Sequence, residues 1–106
     1  MQLKTLVLEL NELCPPLLDR FIAVGKLPNF KTLREGGAAF VTHTDDESLE
    51  PWTQWVSFHT GLSQGTHQIT ELDQGHMLKQ PSLWDKLAED GQTSLVFGAM
   101  NAGPSS

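Results

Sequence analysis

Thr93-Ser94-Leu95-Val96-Phe97-Gly98 is the stretch on which the reading of this chain turns. A short apolar run closed by glycine is the pattern of a strand buried in a parallel sheet. Just upstream, residues 82–91 carry the marks of a helix. Ser82 stands at the N-cap, Asp85 at the capping-box position and Gly91 at the end. Two further runs have strand character, Leu6-Val7-Leu8-Glu9-Leu10 and Ala38-Ala39-Phe40-Val41-Thr42. Helical patterns lie between them, so strands and helices alternate. That order predicts an α/β fold, a three-layer α/β/α arrangement around a mainly parallel sheet.

The helical segments are signalled locally. Pro15-Pro16 suit a helix start, because the missing N–H there has no partner in any case. Leu17, Leu18, Phe21 and Ile22 follow at helical spacing, and Gly25 is placed to end the turn. Leu27-Pro28-Asn29 reads as a turn, with Asn29 capping a short helix over residues 30–35 that stops at Gly36-Gly37. Residues 52–59 predict a third helix, ended by Thr60-Gly61. Residues 43–50 are too polar to bury, and residues 63–81 read as loop.

Three strands leave a parallel sheet with open edges, and the last strand run falls close to Ser106. Residues 1–106 are therefore expected to be the N-terminal part of a single α/β domain, cut before its sheet is complete. Open edges predict self-association of the fragment. The other reading is a small, complete domain.

Composition bounds the function classes. The 106 residues are 39% hydrophobic and 19% charged, an ordinary globular balance. A net charge of -6 repels phosphate backbones, so nucleic acid is not an expected partner. The single cysteine, Cys14, allows no internal disulfide. No apolar run approaches the roughly 18 residues that span a bilayer. Residues 1–10 carry Lys4 and Glu9 and no cleavage motif. The expectation is a cytoplasmic protein with no membrane contact in this segment.

Several residues could carry chemistry. Ligands in open α/β sheets gather at the carboxyl ends of strands, where Asn11 and Glu12 offer oxygens to a metal ion; Asn11 could equally cap the turn before Pro15. Thr53 stands at the start of the third helix, where free N–H groups attract phosphate. It reads either as a nucleophile activated by a base or metal or as a capping hydroxyl. His59 and His67 flank Thr60-Gly61, as acid–base groups, ligands or hydrogen-bonded structural residues. The Cys and His spacing matches no structural zinc site.

Taken in order, Leu8-Glu9-Leu10-Asn11-Glu12, Leu27-Pro28-Asn29-Phe30, Thr60-Gly61 with His67, and Ser82-Leu83-Trp84 through Phe97-Gly98 resemble the N-terminal part of the alkaline phosphatase superfamily, in particular its type I phosphodiesterase/nucleotide pyrophosphatase group. The resemblance covers almost the whole chain. It implies a metal-dependent phosphoesterase acting on a small phosphorylated substrate. Asn11 and Glu12 would face a divalent metal, zinc being the expected ion. Thr53 would be the nucleophile or a phosphate contact, with Gln54, His59 and His67 around the substrate. Two positions depart from the family's pattern. Asn11 replaces its metal-binding aspartate, and counting back from Thr60 places Pro51 where the nucleophile belongs, with Thr53 two residues later. These departures motivate an alternative, a non-catalytic module that binds phosphate or glycan. The family's remaining metal ligands come from later Asp and His segments that have no counterpart here.

Overall fold

A computed structural model describes residues 4–103 of the chain. Residues 1–3 of the N-terminal stretch read above for targeting signals lie outside the described residues. The chain divides into two compact units, Met1–His43 and Thr44–Ser106.

In the first unit, residues 4–10, without regular structure, lead to a turn at Asn11 and Glu12, and then to α1, Pro15–Ala23. Both prolines occupy the first turn, as expected, and the Leu18 N–H donates to the Cys14 carbonyl at 2.9 Å. The end of α1 is a double cap. The Lys26 N–H reaches the Phe21 carbonyl and the Gly25 N–H the Ile22 carbonyl, with Gly25 at φ 76°. This arrangement needs a left-handed residue at that place, which glycine adopts without a Cβ penalty. Next comes α2, Pro28–Gly36. Asn29 sits inside it rather than capping it, because Pro28 is already helical and Leu27 takes the cap position. Arg34 of α2 pairs with Asp19 of α1.

The second unit holds α3, Pro51–Thr60; α4, Gln64–His67; a 3-10 turn, Gln74–Met77; and α5, Leu83–Glu89. The left-handed Gly61, φ 71°, ends α3, as Thr60-Gly61 predicted. Ser82 and Asp85 form the expected cap of α5, both the N–H and the hydroxyl of Ser82 donating to Asp85 Oδ2 at 2.8 and 2.7 Å. Gly91 and Gln92 close α5 with the same double cap as α1. The segment read as loop over residues 63–81 contains α4 and the 3-10 turn. The apolar core of this unit is small: Val56 of α3 and Ile69 are its buried aliphatic side chains.

The expected sheet is absent. Among the described residues every regular element is a helix or a turn, and no strand forms. The three-layer α/β/α fold with a parallel sheet is therefore corrected to a helical one. Residues 6–10, 38–42 and 93–97, read above as strands, have no regular secondary structure and join no inter-strand ladder. A strand is stable only through pairing, since its side chains alone bury little and its backbone needs partners. The outcome shows in exposure: Leu6 is 88%, Phe40 87%, Leu95 96% and Phe97 97% exposed. No helix of the described residues is long and apolar enough to cross a membrane.

Candidate functional site

Polar side chains of the second unit converge on one carboxylate, Asp46. Its Oδ1 accepts the Gln64 N–H at 2.8 Å, at the first residue of α4. Its Oδ2 accepts the Ser57 hydroxyl of α3 at 2.8 Å. Gln54, one turn before Ser57, donates to the Ser48 carbonyl at 2.6 Å and lies 3.5 Å from Asp46 Oδ2. Ser57 also contacts His67 Nε2 at 2.9 Å. His67 is held from its other side, where Nδ1 accepts the Ile69 N–H at 3.0 Å.

The donors fix the proton order. An imidazole nitrogen that accepts a backbone N–H is unprotonated, so the neutral ring carries its proton on Nε2. His67 therefore donates to Ser57, and Ser57 donates to Asp46. A serine nucleophile needs the reverse, a histidine nitrogen free to take its proton. The cluster consequently orients the 46–48 segment against α3 and α4 and leaves Ser57 unactivated. Its electrostatics agree. The Gln64 N–H, then the Ser57 hydroxyl, hold the Asp46 carboxyl below the usual aspartate range. Burial pushes His67 below the usual histidine range, with the Asp46 charge opposing.

Beside this cluster an open cleft of about 560 Å³ is lined by Asp45, Asp46, Glu47, Gln64, Gln68 and Thr70, among others. Its carboxylates disfavour a phosphate and suit a neutral, hydroxyl-rich or cationic ligand.

The residues singled out in the sequence separate. Gln54 and His67 belong to the Asp46 cluster. His59 is buried in an aromatic group, stacked on Trp55 with ring centroids 5.9 Å apart and 4.9 Å from Trp84. Thr53, in the first turn of α3, is 0% exposed, and its hydroxyl is buried without a hydrogen-bond partner. Asn11 and Glu12 belong to the first unit, in the turn before α1, Glu12 in the left-handed region at φ 55°. Among the described residues no group of three or more His, Cys, Asp or Glu side chains is arranged to hold a metal ion. Asn11 and Glu12 alone fall short of a dication's usual donor set, and no step through a metal is derived.

Sequence reading missed Asp46, Ser57 and Asn101. One signal was present for Ser57. Thr53, Val56, Ser57 and Thr60 recur at three- and four-residue spacing, the inward stripe of a helix. Small polar residues on such a stripe must find internal partners. Thr60 does so by donating to the Val56 carbonyl at 2.7 Å. No family model, curated protein or solved structure matches the chain.

Proposed function

We propose that this chain contributes to phosphoester hydrolysis, with the Thr53 hydroxyl as the group that meets the phosphorylated ligand. What supports the reading is the state of that hydroxyl. It lies in the first turn of a ten-residue helix, fully buried and unpartnered. A buried hydroxyl left unpaired costs about 1–3 kcal/mol, so proteins seldom keep one without use. A ligand oxygen would satisfy it, at the helix end that favours negative charge. In the conformation described the hydroxyl is closed to solvent, so access requires its cover to move. A divalent ion, zinc by expectation, would have Asn11 and Glu12 as its donors from the first unit, which alone fall short of a dication's usual set. It is tested by elemental analysis for zinc and manganese and by cleavage of bis-p-nitrophenyl phosphate. Hydrolysis lost in Thr53→Val supports it; no bound metal and no turnover sink it.

A second reading rests on the cleft beside Asp46. A non-catalytic module would bind a neutral glycan there through Gln64, Gln68 and Thr70. Titration with a neutral oligosaccharide, followed by amide shifts, distinguishes the two. Shifts confined to the cleft lining, with no turnover, favour the module.

A further inference from the structure

His67 is gripped from two sides, and the two grips answer differently to a proton. Its Nε2–H donates to Ser57 at 2.9 Å, and Ser57 passes the bond on to Asp46. Its Nδ1 accepts the Ile69 N–H at 3.0 Å. A second proton adds to Nδ1, since Nε2 already carries one. The Ser57 side then keeps its donor and gains the attraction of the Asp46 charge. The Ile69 side is left with two donors facing each other, which is no hydrogen bond. The whole conflict therefore falls on the turn formed by Gln68 and Ile69.

The surroundings decide what can respond. α3, packed on α4, brings Ser57 to the ring, while its own histidine, His59, is set among Trp55 and Trp84. α4 carries no other titratable side chain. Gln80 reaches α4 at the Thr66 carbonyl with an uncharged amide. Residues 44–50 bring Asp46, the charge that acts on His67. Burial holds the ring neutral and Asp46 opposes it, so the second proton arrives below the ordinary histidine value. Gln68 is the yielding member of the turn. It is exposed and takes a left-handed conformation, φ 58°, that residues other than glycine seldom adopt. The Ile69 side chain is buried, and Thr70 is fixed separately, its N–H by Gln74 Oε1 and its carbonyl by the Trp52 indole, each at 2.9 Å. Movement is thus confined to Gln68 and the peptide that joins it to Ile69.

We propose that His67 is a proton-operated clasp: on taking up a second proton it lets go of the Ile69 N–H while keeping Ser57 and Asp46, and Gln68 leaves its place in the wall of the Asp46 cleft. The inference rests on the reading of that cleft as a ligand site for its purpose, though not for its geometry. Gln68 lines the cleft, so a ligand held through its amide binds at neutral pH and is shed in acid. Asp46 stays bonded to Gln64 and Ser57, so the facing wall keeps its shape.

The test is amide hydrogen exchange in the full, ligand-free chain, with the His67 ring nitrogens followed in parallel from about pH 7 downward until the ring has titrated. Protection of the Ile69 amide is expected to fall about five-fold, the factor that loss of one hydrogen bond implies, with the midpoint of the His67 ring. The amides of Gln64, bonded to Asp46, and of Val56, inside α3, are expected to keep their protection. An Ile69 amide that stays protected while the ring titrates overturns the clasp. So does a fall shared by Gln64 and Val56, which marks general loosening, and so does a ring that stays neutral until the chain unfolds. His67→Gln should make Ile69 protection independent of pH, and His76→Gln should leave the response of the parent chain unchanged; the reverse of either result counts against the clasp. If His67→Gln does not fold, agreement or disagreement of the two midpoints in the parent chain decides alone. Exchange reads the turn without any ligand, so it succeeds or fails independently of oligosaccharide binding in the cleft and of phosphoester hydrolysis.

Discussion

His67 Nδ1 accepts the Ile69 N–H at 3.0 Å, and this bond sets the direction of every proton from His67 through Ser57 to Asp46. Ile69 is also one of the buried aliphatic residues of the second unit. The polar cluster and the small core are therefore joined through one backbone amide. Removing the middle member should leave two groups short of a partner, the His67 Nε2–H and an Asp46 oxygen. Ser57→Ala is expected to cost about 1–3 kcal/mol, read by chemical denaturation. Nitrogen shifts of the His67 ring in the native protein should show the proton on Nε2. A proton on Nδ1 would break the assignment and reopen Ser57 as a nucleophile.

The same cluster makes stability depend on pH in two steps. His67 has its folded value lowered by burial, so the unfolded chain takes up its proton first. The His67 contribution is complete above the ordinary histidine value, about 6.5, and is lost as pH falls from there toward the folded value. Protonation would also turn Nδ1 into a donor facing the Ile69 N–H. Asp46 is lowered by the Gln64 N–H and the Ser57 hydroxyl. Its contribution is present above the ordinary aspartate value, about 3.9, and is lost as pH falls through the folded one. Denaturation midpoints measured from neutral pH downward should drop in both windows. His67→Gln should erase the first drop and spare the second. A flat profile between pH about 7 and 5 would contradict the burial of a neutral His67.

The exposed apolar runs give the plainest check on the helical fold. Leu95 and Phe97 pack against almost nothing, so Leu95→Ser with Phe97→Ser should change stability by no more than about 0.5 kcal/mol per site. Far-ultraviolet circular dichroism should keep its helical signal and show no strand component. A large loss of stability would mean that these side chains are buried in solution.

How much was legible follows from where each signal acts. Helix ends are decided within a few residues, and Pro15, Gly25, Gly61, Ser82, Asp85 and Gly91 all sit where their chemistry predicts. Strands are decided by partners distant in sequence. Leu6 to Leu10 has the composition of a buried strand, but composition cannot supply the neighbour it must bond to. The candidate site divides the same way. Gln54 and His67 were visible as polar residues near helix ends. Asp46 was hidden in a polar stretch, and only its bond to the Gln64 N–H, eighteen residues on, reveals its role. Asn101 was hidden for the same reason, its partners Trp52 and Glu71 lying 49 and 30 residues away.

Thr53 offers the sharpest opposition between stability and use. Its hydroxyl is buried and unpartnered, so the folded protein carries a desolvated polar group with no return. Thr53→Val keeps the branched shape and removes that group. In ligand-free protein the substitution should raise stability, by about 1 kcal/mol or somewhat more, against the usual trend that core substitutions destabilise. On the proposed role of Thr53, any capacity to bind or hydrolyse a phosphoester should fall in the same variant. Paired denaturation and activity measurements on the one variant decide the matter. A Thr53→Val protein that is less stable than the parent would show that the hydroxyl already has a partner in solution, and the case for a waiting phosphate contact would go with it.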